Sequence, residues 1–201
     1  AETGAQAVYR QAADGTGRPQ RIAMGAAGEG VPLSVIPGGR GILMRRGNHL
    51  GVLSLTGIST TEPLVQTNAV ELNGEVSPDG RWLAYESTES GRPEVYVRPF
   101  PNVAGGRWQV SNSGGSRPAW ARNGRELFCE DQEGGLIAAP VAEGPAFSVG
   151  VPVRLFDARA TLVGGTTIRT WDVAPDGRFL MVQDDGLTTS LPLLVVLNWI
   201  E

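Results

Sequence analysis

The chain contains no lysine; all 17 of its basic residues are arginine. Schiff-base chemistry and a lysine general base are thereby excluded. Histidine is nearly absent too. His49 is the single copy, so a Ser-His-Asp arrangement would have to use it, and no Gly-x-Ser-x-Gly elbow presents a serine. The one cysteine, Cys129, cannot form an internal disulfide and leaves the redox compartment undecided. Long apolar runs are missing: the longest, around Leu193 to Val196, is strand-sized, so membrane insertion by this segment is not expected. The sequence starts in mid-pattern at Ala1 and reads as an excised or matured piece. A net charge of -4 without a basic block gives no footprint for nucleic acid. Long helices are not expected either, because Gly or Pro interrupts every window of helical apolar spacing.

What is abundant is glycine and proline, 28 and 14 residues, alongside 41% hydrophobic residues. This combination suits many short strands joined by tight turns. One phrase recurs four times: Ile36-Pro37-Gly38-Gly39-Arg40, Ser77-Pro78-Asp79-Gly80-Arg81, Ala121-Arg122-Asn123-Gly124-Arg125 and Ala174-Pro175-Asp176-Gly177-Arg178. Its last glycine returns at intervals of 41, 44 and 53 residues. A period in the forties, with a turn leading into a strand, marks a β-propeller in which each repeat is one blade.

The columns around the phrase agree in register. After the arginine come Trp82-Leu83-Ala84-Tyr85, Glu126-Leu127-Phe128-Cys129, Phe179-Leu180-Met181-Val182 and Gly41-Ile42-Leu43-Met44. Since alternate strand residues share a face, Leu83, Leu127, Leu180 and Ile42 are expected in the layer between blades. Val35, Val76, Trp120 and Val173 precede the phrase and belong with them. The implied fold class is all-β, a propeller of about five four-stranded blades in one domain, 1–201. Complete blades are expected over about 31–66, 72–112 and 116–156. Partial blades at 5–24 and 168–199 would join into a closing blade built from both chain ends, which removes exposed edges. A truncated or open arc, or one completed by a second chain, is the alternative.

The phrases Ser77-Pro78-Asp79-Gly80-Arg81-Trp82-Leu83-Ala84-Tyr85 and Glu94-Val95-Tyr96-Val97-Arg98-Pro99-Phe100-Pro101 resemble the bacterial WD40-like, TolB-type propeller repeat. Trp108-Gln109-Val110-Ser111 and the stretch Trp120 to Phe128 fit it as well. The resemblance is closest to the propeller that comes after the kinase domain in bacterial serine/threonine kinases of eukaryotic type. It implies an extracytoplasmic or periplasmic binding or sensor module with a protein or peptide partner. Two departures occur, Gly38 in place of Asp and Arg122-Asn123 in place of Pro-Asp. No kinase motif is present in the chain.

Four candidate ligand residues break the repeat pattern with mixed charge on or near the channel-lining strands: Glu75, Arg117, Arg169 and Asp172. By contrast Asp79, Gly80, Asn123, Gly124, Asp176 and Gly177 recur from blade to blade, which argues for a structural turn role rather than catalysis. Arg81, Arg125 and Arg178 are expected to lie over apolar surface with their heads in water. His49 reads as an exposed loop histidine, Glu130-Asp131-Gln132-Glu133 and Asp184-Asp185 as solvated hairpin tips, and Cys129 as a buried structural thiol. No residue spacing calls for a metal or a cofactor, so neither is expected. The leading functional expectation is a non-catalytic binding module. The alternatives are a hydrolase or lyase working at the channel mouth, and a propeller fragment that acts through homo-oligomeric assembly.

Overall fold

The computed structural model describes residues 7–23, 30–56, 61–158 and 169–181. Among these, regular structure is almost entirely antiparallel β, with one short 3-10 turn at Val103–Gly105. Blade 1 consists of β3 (Val31–Val35), β4 (Gly41–Arg46), β5 (His49–Ser54) and β6 (Thr61–Val65), hydrogen-bonded in that order. Blade 2 repeats the meander with β7 (Glu71–Val76), β8 (Trp82–Ser87), β9 (Glu94–Pro99) and β10 (Trp108–Gln109). Blade 3 is β11 (Ser116–Trp120), β12 (Glu126–Glu130), β13 (Gly135–Pro140) and β14 (Val153–Asp157). Two-stranded sheets flank them: β1 (Val8–Arg10) with β2 (Gln20–Ala23), and β15 (Trp171–Val173) with β16 (Phe179–Met181). The expected third strand near 191–199, and with it much of the closing blade, lies outside the described residues.

The repeated phrase builds the connection between the first and second strands of each blade. Gly39, Gly80, Gly124 and Gly177 take φ of 67, 73, 72 and 82°, a region that costs other residues a Cβ clash. Each donates its N–H three residues back, at 2.8–3.0 Å. Asp79, Asn123 and Asp176 each accept the N–H of the arginine two positions on through Oδ1, at 3.1, 2.9 and 3.1 Å. These carboxylates and the amide close a turn. The Asp176 carboxyl is held below the usual carboxylate range chiefly by the Arg178 N–H.

Among the described residues the core forms three layers, one at each of three blade junctions. Between blades 1 and 2, Leu43, Leu50 and Val65 meet Val76, Leu83 and Tyr85. Trp82, Ala84, Val95 and Val97 then meet Trp120, Leu127, Cys129 and Ala139. At the third junction Ala119, Phe128, Leu136 and Ala138 meet Trp171, Val173, Phe179 and Met181. The second strand of blade 2 is therefore covered on both faces, and all six residues of β8 are buried. Cys129 is 1% exposed, and burial pushes its thiol up to about 12. It is a core residue and not a nucleophile.

Two column residues depart from expectation. Val35 is 65% exposed, because its counterpart Val76 packs toward the preceding blade, and blade 1 has no complete predecessor among the described residues. Leu180 is 60% exposed for a different reason. In blades 1 to 3 the residue before the turn bonds a carbonyl five positions on: Ile36 to Gly41, Ser77 to Trp82, Ala121 to Glu126. Ala174 instead bonds Arg178, four positions on, and Val173 pairs with Phe179 where Trp120 pairs with Leu127. A one-residue slip exchanges the faces of a strand, so Phe179 and Met181 turn inward and Leu180 outward.

Candidate functional site

The first strands of the blades share one position, five residues before the turn glycine, where the residue type changes from blade to blade. It holds Ser34, Glu75, Ala119 and Asp172. Ser34, Glu75 and Asp172 all line one cavity of about 310 Å³, together with Pro32, Asn73, Arg169 and Trp171 among others. The scaffold brings the variable polar position of three repeats to a common space, which is how a propeller makes a site from a repeat.

Three of the four candidate ligand residues assemble here. Arg169 Nη1 donates to Glu75 Oε2 at 2.5 Å and to the Pro118 carbonyl at 2.7 Å, while its Nε donates to the Trp171 carbonyl at 3.0 Å. Asp172 Oδ1 stands 3.6 Å from Arg169 Nη2, and its Oδ2 lies 3.5 Å from Arg122 on the rim. The hydroxyl of Ser34 is buried at the cavity wall with no hydrogen-bond partner among the described residues. Asn73 sits at a register shift in β7 with φ of 49°, left-handed for a residue with a Cβ.

Arg117 is not part of this group. It occupies the equivalent bulge of β11 with φ of 53°, and its guanidinium pairs with Glu130. Its backbone N–H donates to Glu86 Oε2 of the preceding blade at 3.1 Å, and the same oxygen accepts Asn73 Nδ2 at 2.9 Å. Glu130 repeats this role one blade on, accepting Trp171 Nε1 at 2.5 Å. Glu86 and Glu130 occupy the same place at the end of the second strand, and each joins its blade to the next.

The sequence pattern expects Glu130 at a solvated hairpin tip, but it is 1% exposed. Burial raises its carboxyl above the usual range, opposed by the Arg117 charge. The acidic phrase masks a strand end, since only Asp131 onward forms the turn; Asp131 Oδ1 accepts the N–H groups of Glu133 and Gly135. Asp184 and Asp185 lie outside the described residues.

His49 also differs from its expected exposed loop. It opens β5, and its Nδ1 lies 2.7 Å from Oε2 of Glu71, which is fully buried at the start of blade 2. The hydroxyl of Thr67 donates to the other oxygen of Glu71. No local pattern links residues 22 positions apart, so only the approach of two blades shows the pair. His49 does not line the channel cavity. Arg81 likewise does more than cover Trp82, 5.3 Å beneath its guanidinium; it donates to the carbonyls of Gly144 and Pro145 at 2.7 and 3.2 Å, tying blade 2 to blade 3.

Among the described residues, no cluster of three or more His, Cys, Asp and Glu is placed to hold a metal, and no helix is long and apolar enough to cross a membrane. Neither a protein-family sequence model nor a curated protein sequence matches the chain. Solved structures do. A protein assigned as TolB from Agrobacterium tumefaciens superposes with a TM-score of 0.61 at 16% identity, covering 90% of this chain and 66% of its own. TolB from Acinetobacter baumannii gives 0.59 at 16% identity, covering 85% of this chain and 41% of its own. The chain thus spans less than two thirds of either relative. At such identity the likeness is one of architecture, and by architecture this chain is a β-propeller, similar in fold to these two proteins.

Proposed function

We propose that this propeller is a non-catalytic binding module that receives a protein or peptide partner at the channel cavity. One observation carries the reading: the polar residues five places before the turn glycine in three repeats, Ser34, Glu75 and Asp172, converge on a single space while the turns around it stay uniform. Glu75 and Asp172 supply negative charge, Asn73 and Ser34 supply neutral polar groups, and Trp171 supplies an apolar wall. The likeness of the repeat phrases to those of kinase-linked propellers supports a place outside the cytoplasm, as the sensing part of a receptor kinase.

The alternative of a hydrolase or lyase at the channel mouth needs a base there. His49 is committed to Glu71 and stands apart from the cavity, and the carboxylates that are there, Glu75 and Asp172, face the Arg169 guanidinium. The deciding experiment is fluorescence polarisation with basic, neutral and acidic peptide pools on the wild type and on Glu75→Ala/Asp172→Ala. Saturable binding that drops at least tenfold in the double variant is expected. Binding that the double variant retains in full puts the partner elsewhere, and turnover of ester or glycoside substrates by the wild type overturns the non-catalytic reading.

A further inference from the structure

Arg169 sits in surroundings assembled for a guanidinium. Around the planar edge stand the Glu75 carboxylate, the carbonyls of Pro118 and Trp171, and the Asp172 carboxylate, at 2.5, 2.7, 3.0 and 3.6 Å. Its Cζ lies over the Trp171 ring, 5.5 Å from the centroid. In-plane acceptors with an aromatic face select a guanidinium over an ammonium, which is compact and has no plane to stack. The groups come from three elements far apart in the chain, β7, β11 and β15. An arginine is not a requirement of blade packing at this place. Eight residues before the turn glycine, the other repeats carry Val31, Leu72 and Ser116, and the junctions between blades 1 and 2 and between blades 2 and 3 close without an arginine there. The guanidinium also stands at the wall of the 310 Å³ channel cavity, with its side chain 23% exposed.

We propose that this pocket is a guanidinium-reading site, filled in cis by Arg169, and that an arginine side chain of a peptide partner takes the same place when Arg169 leaves it. The identity of the partner rests on the channel-binding reading above; the occupancy of the pocket is tested apart from it.

The test uses Arg169→Ala with methylguanidinium and methylammonium as probes, at tens of millimolar, where guanidinium is far from its denaturing range. Methylguanidinium is expected to raise the Tm of the variant by about 3 °C, as ligand binding to the folded state requires. Methylammonium leaves it unchanged, and Glu75→Gln added to Arg169→Ala abolishes the rise. N-acetylarginine amide is expected to bind Arg169→Ala at least tenfold tighter than wild type, with the lysine analogue showing no gain. If Arg169→Ala does not fold, Arg169→Met retains the aliphatic stem and is measured in the same way. Equal response to both probes, or a rise that survives Glu75→Gln, overturns the pocket. Rescue by methylguanidinium with no peptide pool bound supports the pocket and overturns its use by a partner. Peptide binding that neither Arg169→Ala nor methylguanidinium alters overturns this inference while leaving the channel reading in place.

Discussion

The third and fourth copies of the turn phrase differ less in their turns than in the strands those turns lead into. Gly124 and Gly177 share the same left-handed backbone, and Asn123 and Asp176 accept the same arginine N–H. Yet the strand after Gly124 enters one residue later than the strand after Gly177, as the pairs Trp120–Leu127 and Val173–Phe179 show. A turn fixes the direction of a hairpin; the face that must be buried fixes its register. In the third copy the earlier register would drive Glu126 toward blade 2, whereas Leu127 and Cys129 fill that layer instead. In the fourth, the earlier register places Phe179 beside Phe128, Phe156 and Trp171, with ring centroids 5.0, 5.6 and 6.1 Å away. An aromatic ring buries more apolar area than the leucine that would replace it, and edge-to-face contacts add to the gain.

That contrast is broken most directly by truncating the same column in both copies. Leu127→Ala, with no exposed surface in the native state, is expected to cost about 3 kcal/mol by chemical denaturation. Leu180→Ala should stay within about 0.5 kcal/mol. Equal losses at the two positions would mean that the fourth hairpin shares the register of the third.

A loss of about 2–3 kcal/mol is expected for His49→Ala, because it strips the fully buried Glu71 of its charged or N–H partner. This probes the junction between blades 1 and 2, where Arg45 stands at the place of Glu86 and Glu130 and a different pair does the joining. His49→Ala/Glu71→Gln should recover part of the loss; a double variant no better than the single would show that the pair is not coupled.

Phe179→Ala sharpens the register argument at about 2 kcal/mol, the side chain being only partly buried. A neutral result would put Leu180, and not Phe179, in the layer.

The smallest effect concerns pH. Glu130 has its carboxyl raised by burial, so the folded chain holds that proton more tightly than the unfolded one. Its contribution favours the fold at low pH and is lost as pH climbs from the ordinary glutamate range to the raised folded value. Glu130→Gln should flatten the stability profile in that window, measured by denaturation at pH values from the ordinary glutamate range upward; an unchanged slope would show that Glu130 ionises normally.

The blade architecture was legible because its determinants repeat: turn glycines, alternating columns and intervals in the forties are visible along a single line of sequence. The candidate site was legible in part. Glu75, Arg169 and Asp172 stand out as charges where the pattern has none to spare, and the fold brings them together. Arg117 stands out for the same reason but is drawn into the blade-joining network, because Glu130 lies within its reach and is itself buried. Glu130 read as a hairpin tip because acidic residues in succession look solvated whether or not the first belongs to a strand.

By itself the sequence determined the turns, the strands and their order, since a left-handed glycine, an Asx side chain and a period of two act within a handful of residues. Only the tertiary structure decided which face of the fourth hairpin is buried, which glutamates join the blades and where Arg169 is received. Those outcomes depend on side chains such as Glu75 and Arg169, 94 positions apart, whose approach is set by the stacking of blades and leaves no local mark.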